Sequence, residues 1–315
     1  MKIIMHSLWQ QWKRFWMREG PPYLVATVRI VCGLYLLLYV LSSFPHIPLL
    51  YSHAGIAIPN IYSTPAFVHP LLQLPSPTVA WVIYGVILAV IVSFTLGYRT
   101  RLSAILCLLG LTYYYQLSFH NAPATYHRLF FFLLVAFLFT DAGATFSLDA
   151  WWRFGSWFHA MPAPVLTQRL IAVQLSATYL GVAVQKLWLP DWQDPTMFFY
   201  SFQDMWSLPL AWWFVQLSPP FWVYSLMLFT VKLLELWIPV GLWIPKLRLY
   251  AIASGIFFHL IVSLFLSAIW WFWIMPLAYI VFFEPEEVEG FIDKFKETLW
   301  YSVSFVCRFY NTFLG

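Results

Sequence analysis

The chain has 315 residues; 62% belong to the AVILMFWYC set and only 10% are Asp, Glu, Lys or Arg. A soluble domain carries roughly 45–50% apolar and about 25% charged residues, so a water-soluble fold is excluded, as is a disordered chain poor in apolar surface. A net charge of +4 spread along the sequence excludes a nucleic-acid binder, and three cysteines without CxxC spacing point away from a disulfide framework or zinc site.

What remains is an all-α, polytopic membrane helical bundle with interfacial helices at both termini. In chain order, residues 1–19 alternate basic residues with Trp and Phe and have no cleavage site. Ile4, Leu8, Trp12 and Trp16 share one helical face, with Lys13, Arg14 and Arg18 elsewhere, as in a helix lying on an anionic leaflet. The transmembrane domain, 20–283, reads by hydropathy as about eight spans near 23–43, 78–97, 102–119, 128–146, 167–187, 221–243, 249–267 and 268–283. Residues 284–315 place Val288, Phe291, Ile292, Phe295 and Leu299 at helical spacing between charges, a second amphipathic helix along the inner leaflet.

Charge sets the orientation. With a cytoplasmic N-terminus, the inner segments hold Lys2, Lys13, Arg14, Arg18, Arg99, Arg101, Arg153, Arg169, Lys246, Arg248, Lys294, Lys296 and Arg308, thirteen of the seventeen basic residues. The outer segments 44–77, 120–127 and 188–220 hold none. The positive-inside rule therefore predicts both termini in the cytoplasm.

Ionisable residues within spans are candidates for function, because each is costly to desolvate. Arg29 lies one turn into the first span and reads as a side chain that snorkels to the inner surface. Lys232 and Glu235 are three apart and are expected to pair on one helical face. Lys186, at the outer end of the fifth span, is the candidate base: a lysine partly withdrawn from water can give up its proton and accept another. Its other reading is a snorkelling anchor paired with Asp191 or a lipid phosphate. Gln174, Thr178 and Tyr179 precede it and are expected to line the interior. His120 and His127 flank a short outer loop, and His127 is expected to converge with Lys186, and with His259 of the seventh span, on one outer pocket.

Five stretches in order resemble the HTTM (horizontally transferred transmembrane) family, the multi-span module that forms the membrane part of vitamin K-dependent gamma-carboxylase. They are LYSHAGIAIP, LGYRTRL, YHRLFFFLLVAFLFTDAGATFSLD, QLSATYLGVAVQKLWLPDW and FFHLIVSLFLSAIWWFWIM. The resemblance implies that Lys186 is the base toward a hydroquinone, that His127 matches a histidine of the carboxylation step, and that His259, with Tyr179 nearby, contributes to cofactor binding. The implied cofactor is a quinone or hydroquinone. The sequence departs from the carboxylase in having Gln185 where a second lysine stands, and in a His127-to-Asp141 spacing one residue shorter. The short stretch after the last predicted span leads to the expectation that the carboxylase's peptide-binding domain is lacking.

Three functions follow: a quinone- or hydroquinone-dependent modifying enzyme with an outer-side cavity, a non-enzymatic maturation or export factor for a secreted peptide, as with short HTTM proteins of bacteria, or a structural subunit held to other membrane subunits by its aromatic surface. Each places the chain in the lipid bilayer, with a bacterial cytoplasmic membrane as the expected location.

Overall fold

The structure, a computed structural model, describes residues 2–119, 125–159 and 161–294. It is a mainly helical bundle, and five of its helices are long and apolar enough to cross a membrane. The chain is an integral membrane protein. The principal helices are α1 (Lys2–Met17), α2 (Tyr23–Ser42), α3 (Pro77–Leu96), α4 (Thr100–Leu117), α5 (Thr125–Ala136), α6 (Leu166–Trp188), α7 (Phe221–Trp243) and α8 (Arg248–Phe265). Helix α2 packs on α3 and α3 on α4, while α7 packs on both α6 and α8.

The helix ends are specified locally. The Ser76 hydroxyl accepts from Val79 N at the start of α3, which stops at Gly97 in the left-handed conformation (φ 68°). The α4 start is capped from a distance: the Asp149 carboxylate accepts from Arg99 N, Thr100 N and Thr100 Oγ1, each at 2.8 Å. An acid at a helix N-terminus satisfies amides that the helix cannot and complements its dipole.

Two predicted spans depart from regular helices. The span expected over 128–146 is helical only to Ala136; Phe137 to Phe146 runs as turns and bends. Arg29 explains where that segment's carbonyls find partners, since its guanidinium donates to Ala142 O and Phe146 O. Arg29 is fully buried, so the expected snorkelling is replaced by an internal clamp of α2 on this segment. The last predicted span, 268–283, begins as the 3-10 helix Ser267–Trp273, passes through the short helix Ile274–Leu277 and ends as the 3-10 helix Ala278–Phe282. At about 2 Å of rise per residue, mostly 3-10 winding from Ser267 to Phe282 reaches roughly 30 Å, the thickness of a hydrocarbon core.

The segments expected inside meet at one end of the bundle. Glu19–Gly20 pairs with Ala163–Pro164, Arg153 meets Asp141, and the stretch after the last span clasps three arginines: Arg18 and Arg169 on Glu284, Arg248 on Glu287. Helix α1 joins this end through Phe15 against Trp243 and beneath the Arg169 guanidinium; Leu8, Trp9 and Trp12 remain exposed. A helix over 285–294 carries Val288 onto the core; Phe295 and Leu299 of the expected C-terminal helix lie outside the described residues. At the opposite end, Asn60 binds Gln116 and Leu208 N donates to Phe265 O. There Phe198, Phe202, Ala211, Tyr224 and Leu228 form a second apolar cluster.

Candidate functional site

Lys186 lies on the last turn of α6, yet its side chain turns into the bundle rather than toward the lipid headgroups. Its ammonium donates to Glu235 Oε1 on α7 and stands 4.2 Å from the centroid of the Trp192 ring. The two side chains are only 11% and 7% exposed, so this is a desolvated ion pair with a cation–π contact. Two expectations are corrected here. Glu235 pairs with Lys186 across helices, not with Lys232 along its own; Lys232 instead donates to Gln193 Oε1 at 3.3 Å. The reason is direction: Glu235 faces the interior, whereas Lys232 reaches the turn that follows α6. Lys186, for its part, does not pair with Asp191. Gln193 secures the turn by donating to the carbonyls of Lys186 and Leu187.

The pair forms part of the wall of a cavity of about 300 Å³ between α6, α7, α8 and the last span. The rest of the wall is mainly apolar, with Val182, Phe198, Val231, Val262, Phe272 and Met275 among its members. Its second polar group is His259 of α8, whose Nε2 is 2.8 Å from Tyr179 Oη. Tyr179 Oη is in turn hydrogen-bonded to Tyr279 Oη on the last 3-10 turn. Thr178 also faces the cavity, while Gln174 binds Thr178 Oγ1. Among the described residues Glu235 Oε2 and His259 Nδ1 are buried without a hydrogen-bond partner. An adjoining apolar chamber of about 260 Å³ shares Phe198, Val231, Phe258, Val262 and Leu266 and extends between α7 and α8 past Leu226 and Phe257. Both of these are exposed on the lipid-facing surface.

Lys186, His259 and Tyr179 therefore come together as expected, and His127 does not join them. His127 lines a separate cavity of about 100 Å³ with Tyr39, Tyr51, Tyr84, Tyr114 and Tyr115, sharing no lining residue with the first. Its Nε2 is bound to the Tyr39 hydroxyl. The aromatic run of the last span divides the two cavities: Trp271 packs edge-on against Tyr39, and Phe272 lines the Lys186 cavity. His120, the other histidine of that loop, lies outside the described residues.

Chemically, the main cavity offers an apolar slot with a charge-paired amine at one side and a tyrosine-backed imidazole at another. Sequence reasoning did not select Glu235 as the partner of Lys186, nor Tyr279 at all. The available signal for Glu235 was its isolation as the one acid of its span; for Tyr279 there was none, because a tyrosine in an aromatic run is unremarkable before the fold is known.

The family model for the HTTM domain matches residues 18–286, most of the chain. No curated protein and no solved structure matches it.

Proposed function

The chain belongs to the HTTM domain family, and we propose that it is a membrane-embedded modifying enzyme whose Lys186 cavity takes a quinone or hydroquinone. The observation that carries this reading is the placement of the Lys186–Glu235 ion pair on the wall of a mainly apolar cavity. A buried pair is weak as a stabilising device and is often no better than apolar residues of the same volume; in a cavity it supplies a proton donor and acceptor largely withdrawn from bulk solvent. Ligand sites are mostly apolar with a few placed polar groups and occupy ~300–1,000 Å³.

The residues present fit such a ligand. Phe198, Phe258 and Phe272 offer flat apolar walls, Glu235 Oε2 and His259 Nδ1 offer polar atoms without partners among the described residues, and the adjoining chamber offers room for an apolar tail. When bound, a hydroquinone supplies an acidic hydroxyl and a reducing ring. The protein's part is proton handling. Moving one proton from Lys186 Nζ to Glu235 Oε1 leaves an amine and a carboxylic acid at unchanged net charge, and the amine is then a base within the cavity. Trp192 covers Nζ, and Met197 and Phe198 line the same cavity. The orientation that matches this use has both termini in the cytoplasm, in a bacterial cytoplasmic membrane.

Organic extraction of protein purified in lipid nanodiscs tests the reading. The expected result is a quinone retained by the wild-type protein and lost from Val262→Trp, which fills the cavity from α8. Equal quinone in both, at the level of empty nanodiscs, would exclude a quinone site and favour the maturation or export reading.

A further inference from the structure

The proton positions in the His259–Tyr179–Tyr279 string follow from counting its donors. Three hydrogens, one on each ring, serve two contacts. In one direction Tyr279 donates to Tyr179, Tyr179 donates to His259 Nε2, and the imidazole hydrogen sits on Nδ1. If His259 Nε2 donates to Tyr179 instead, one hydroxyl hydrogen, that of Tyr279 or that of Tyr179 itself, is left without an acceptor in the string, and the bare Nδ1 lone pair is unmet as well. Among the described residues Tyr179 is the hydrogen-bond partner found for Tyr279 Oη. Its other side is closed by Gly255, where an added Cβ would fall 2.4 Å from that oxygen. A buried hydroxyl donor without an acceptor is strongly disfavoured. The first direction leaves its free donor, Nδ1–H, on a residue that lines the cavity, where a ligand can meet it.

The opposite polarity stands nearby. Glu235 is 5% exposed; its Oε1 accepts from Lys186, and its Oε2 has no partner among the described residues. As a carboxylate it is an acceptor only. We infer that Tyr279 and Tyr179 are positioning residues that hold His259 in its Nδ1–H form, and that His259 as donor and Glu235 Oε2 as acceptor together select a ligand bearing both a hydrogen-bond acceptor and a hydroxyl donor. The ligand half of this inference rests on the quinone-site reading; the imidazole half stands without it. A ring bearing only acceptors satisfies His259 and leaves Glu235 Oε2 unmet.

Two measurements on the full chain in nanodiscs test the two halves. Nitrogen NMR of isotope-labelled histidine, with the His259 signal assigned by its loss in His259→Gln, reads the imidazole form without any ligand. The expected result is a proton on Nδ1 in the wild-type protein and a mixture of forms in Tyr179→Phe, a change that a merely structural tyrosine would not cause. A proton on Nε2 in the wild-type protein would overturn the inference. The second measurement compares binding of naphthohydroquinone, its dimethyl ether and naphthoquinone, with empty nanodiscs subtracted. The hydroquinone is expected to bind at least about tenfold tighter than the ether, the ratio that one unmet buried acceptor imposes, and Glu235→Gln, whose amide can also donate, narrows its margin over naphthoquinone. Equal binding of hydroquinone and ether would overturn the Glu235 half. Binding of none of the three would sink the quinone-site reading, while a proton on Nδ1 would still uphold the imidazole assignment.

Discussion

Lys186 carries most of the functional argument, and its pairing decides how its substitutions behave. Lys186→Met leaves Glu235 buried without a partner, and breaking a buried pair in this way costs about 3–5 kcal/mol. The expected outcome is poor thermal stability of the single variant and recovery toward wild type in Lys186→Met with Glu235→Gln, which removes both charges. A single variant as stable as wild type would mean that the pair is hydrated. Lys186→Arg separates chemistry from folding: guanidinium keeps the ion pair but is not deprotonated in proteins, so the variant accumulates in the membrane and loses activity in a complementation assay. Lys186 was legible because it is the one lysine expected at the outer end of a span. Its partner was not, since spacing along one helix suggested Lys232 and only the α6–α7 crossing brings Lys186 to Glu235. Arg29 shows the same limit: its depth in the span was readable, but not the turn segment whose carbonyls it binds.

At the scale of elements, regular spans follow from apolar runs bounded by caps, and α2, α3, α6, α7 and α8 were all legible in that way. The segments that defeated hydropathy are those whose backbone is satisfied from elsewhere. Phe137 to Phe146 is apolar enough for a helix but carries Asp141, Gly143 and Thr145, and Arg29 holds it open. The convergence of His127 with Lys186 failed for a related reason: the sequence gives depth, while the partition between the two cavities comes from Trp271 and Phe272 of a span wound largely as 3-10. One element-level prediction concerns the cap on α4. Asp149→Ala strips acceptors from Arg99 N, Thr100 N and Thr100 Oγ1 at once and is expected to lower stability by about 1–3 kcal/mol. Thermal unfolding in detergent checks it, and Asp149→Asn, which keeps one carbonyl acceptor, should fall between Ala and wild type.

For the whole molecule, charge asymmetry in the sequence anticipated which segments share an end, and the clasp of Arg18, Arg169 and Arg248 on the acids after the last span gives that end its cohesion. Partial burial of Glu287 opposes its ionisation, but hydrogen bonds from Glu284 N and Arg248 prevail and hold its carboxyl below the ordinary 4.5. A carboxyl lowered on folding stabilises fully above its ordinary value, and that contribution is lost as pH falls through the lowered one. Hydrogen exchange over 285–294 should therefore be insensitive to pH around neutrality, after correction for intrinsic rates, and rise on acidification below 4.5. Orientation is checked with an impermeant maleimide: Tyr62→Cys, 94% exposed, is expected to react in intact cells, and Trp152→Cys only after permeabilisation. Ser52, though in the same outer segment, is fully buried and reports nothing. Crosslinking with a photoreactive naphthoquinone and mapping the labelled peptides tests whether the Lys186 cavity holds a quinone-class ligand. A quinone site there gives adducts on the cavity-lining stretches around Met197–Phe198, Phe258–Val262 and Met275, all competed by unlabelled naphthohydroquinone. Adducts confined to the Tyr51 and Tyr114 cavity, or spread without competition over the lipid-facing surface, would contradict it.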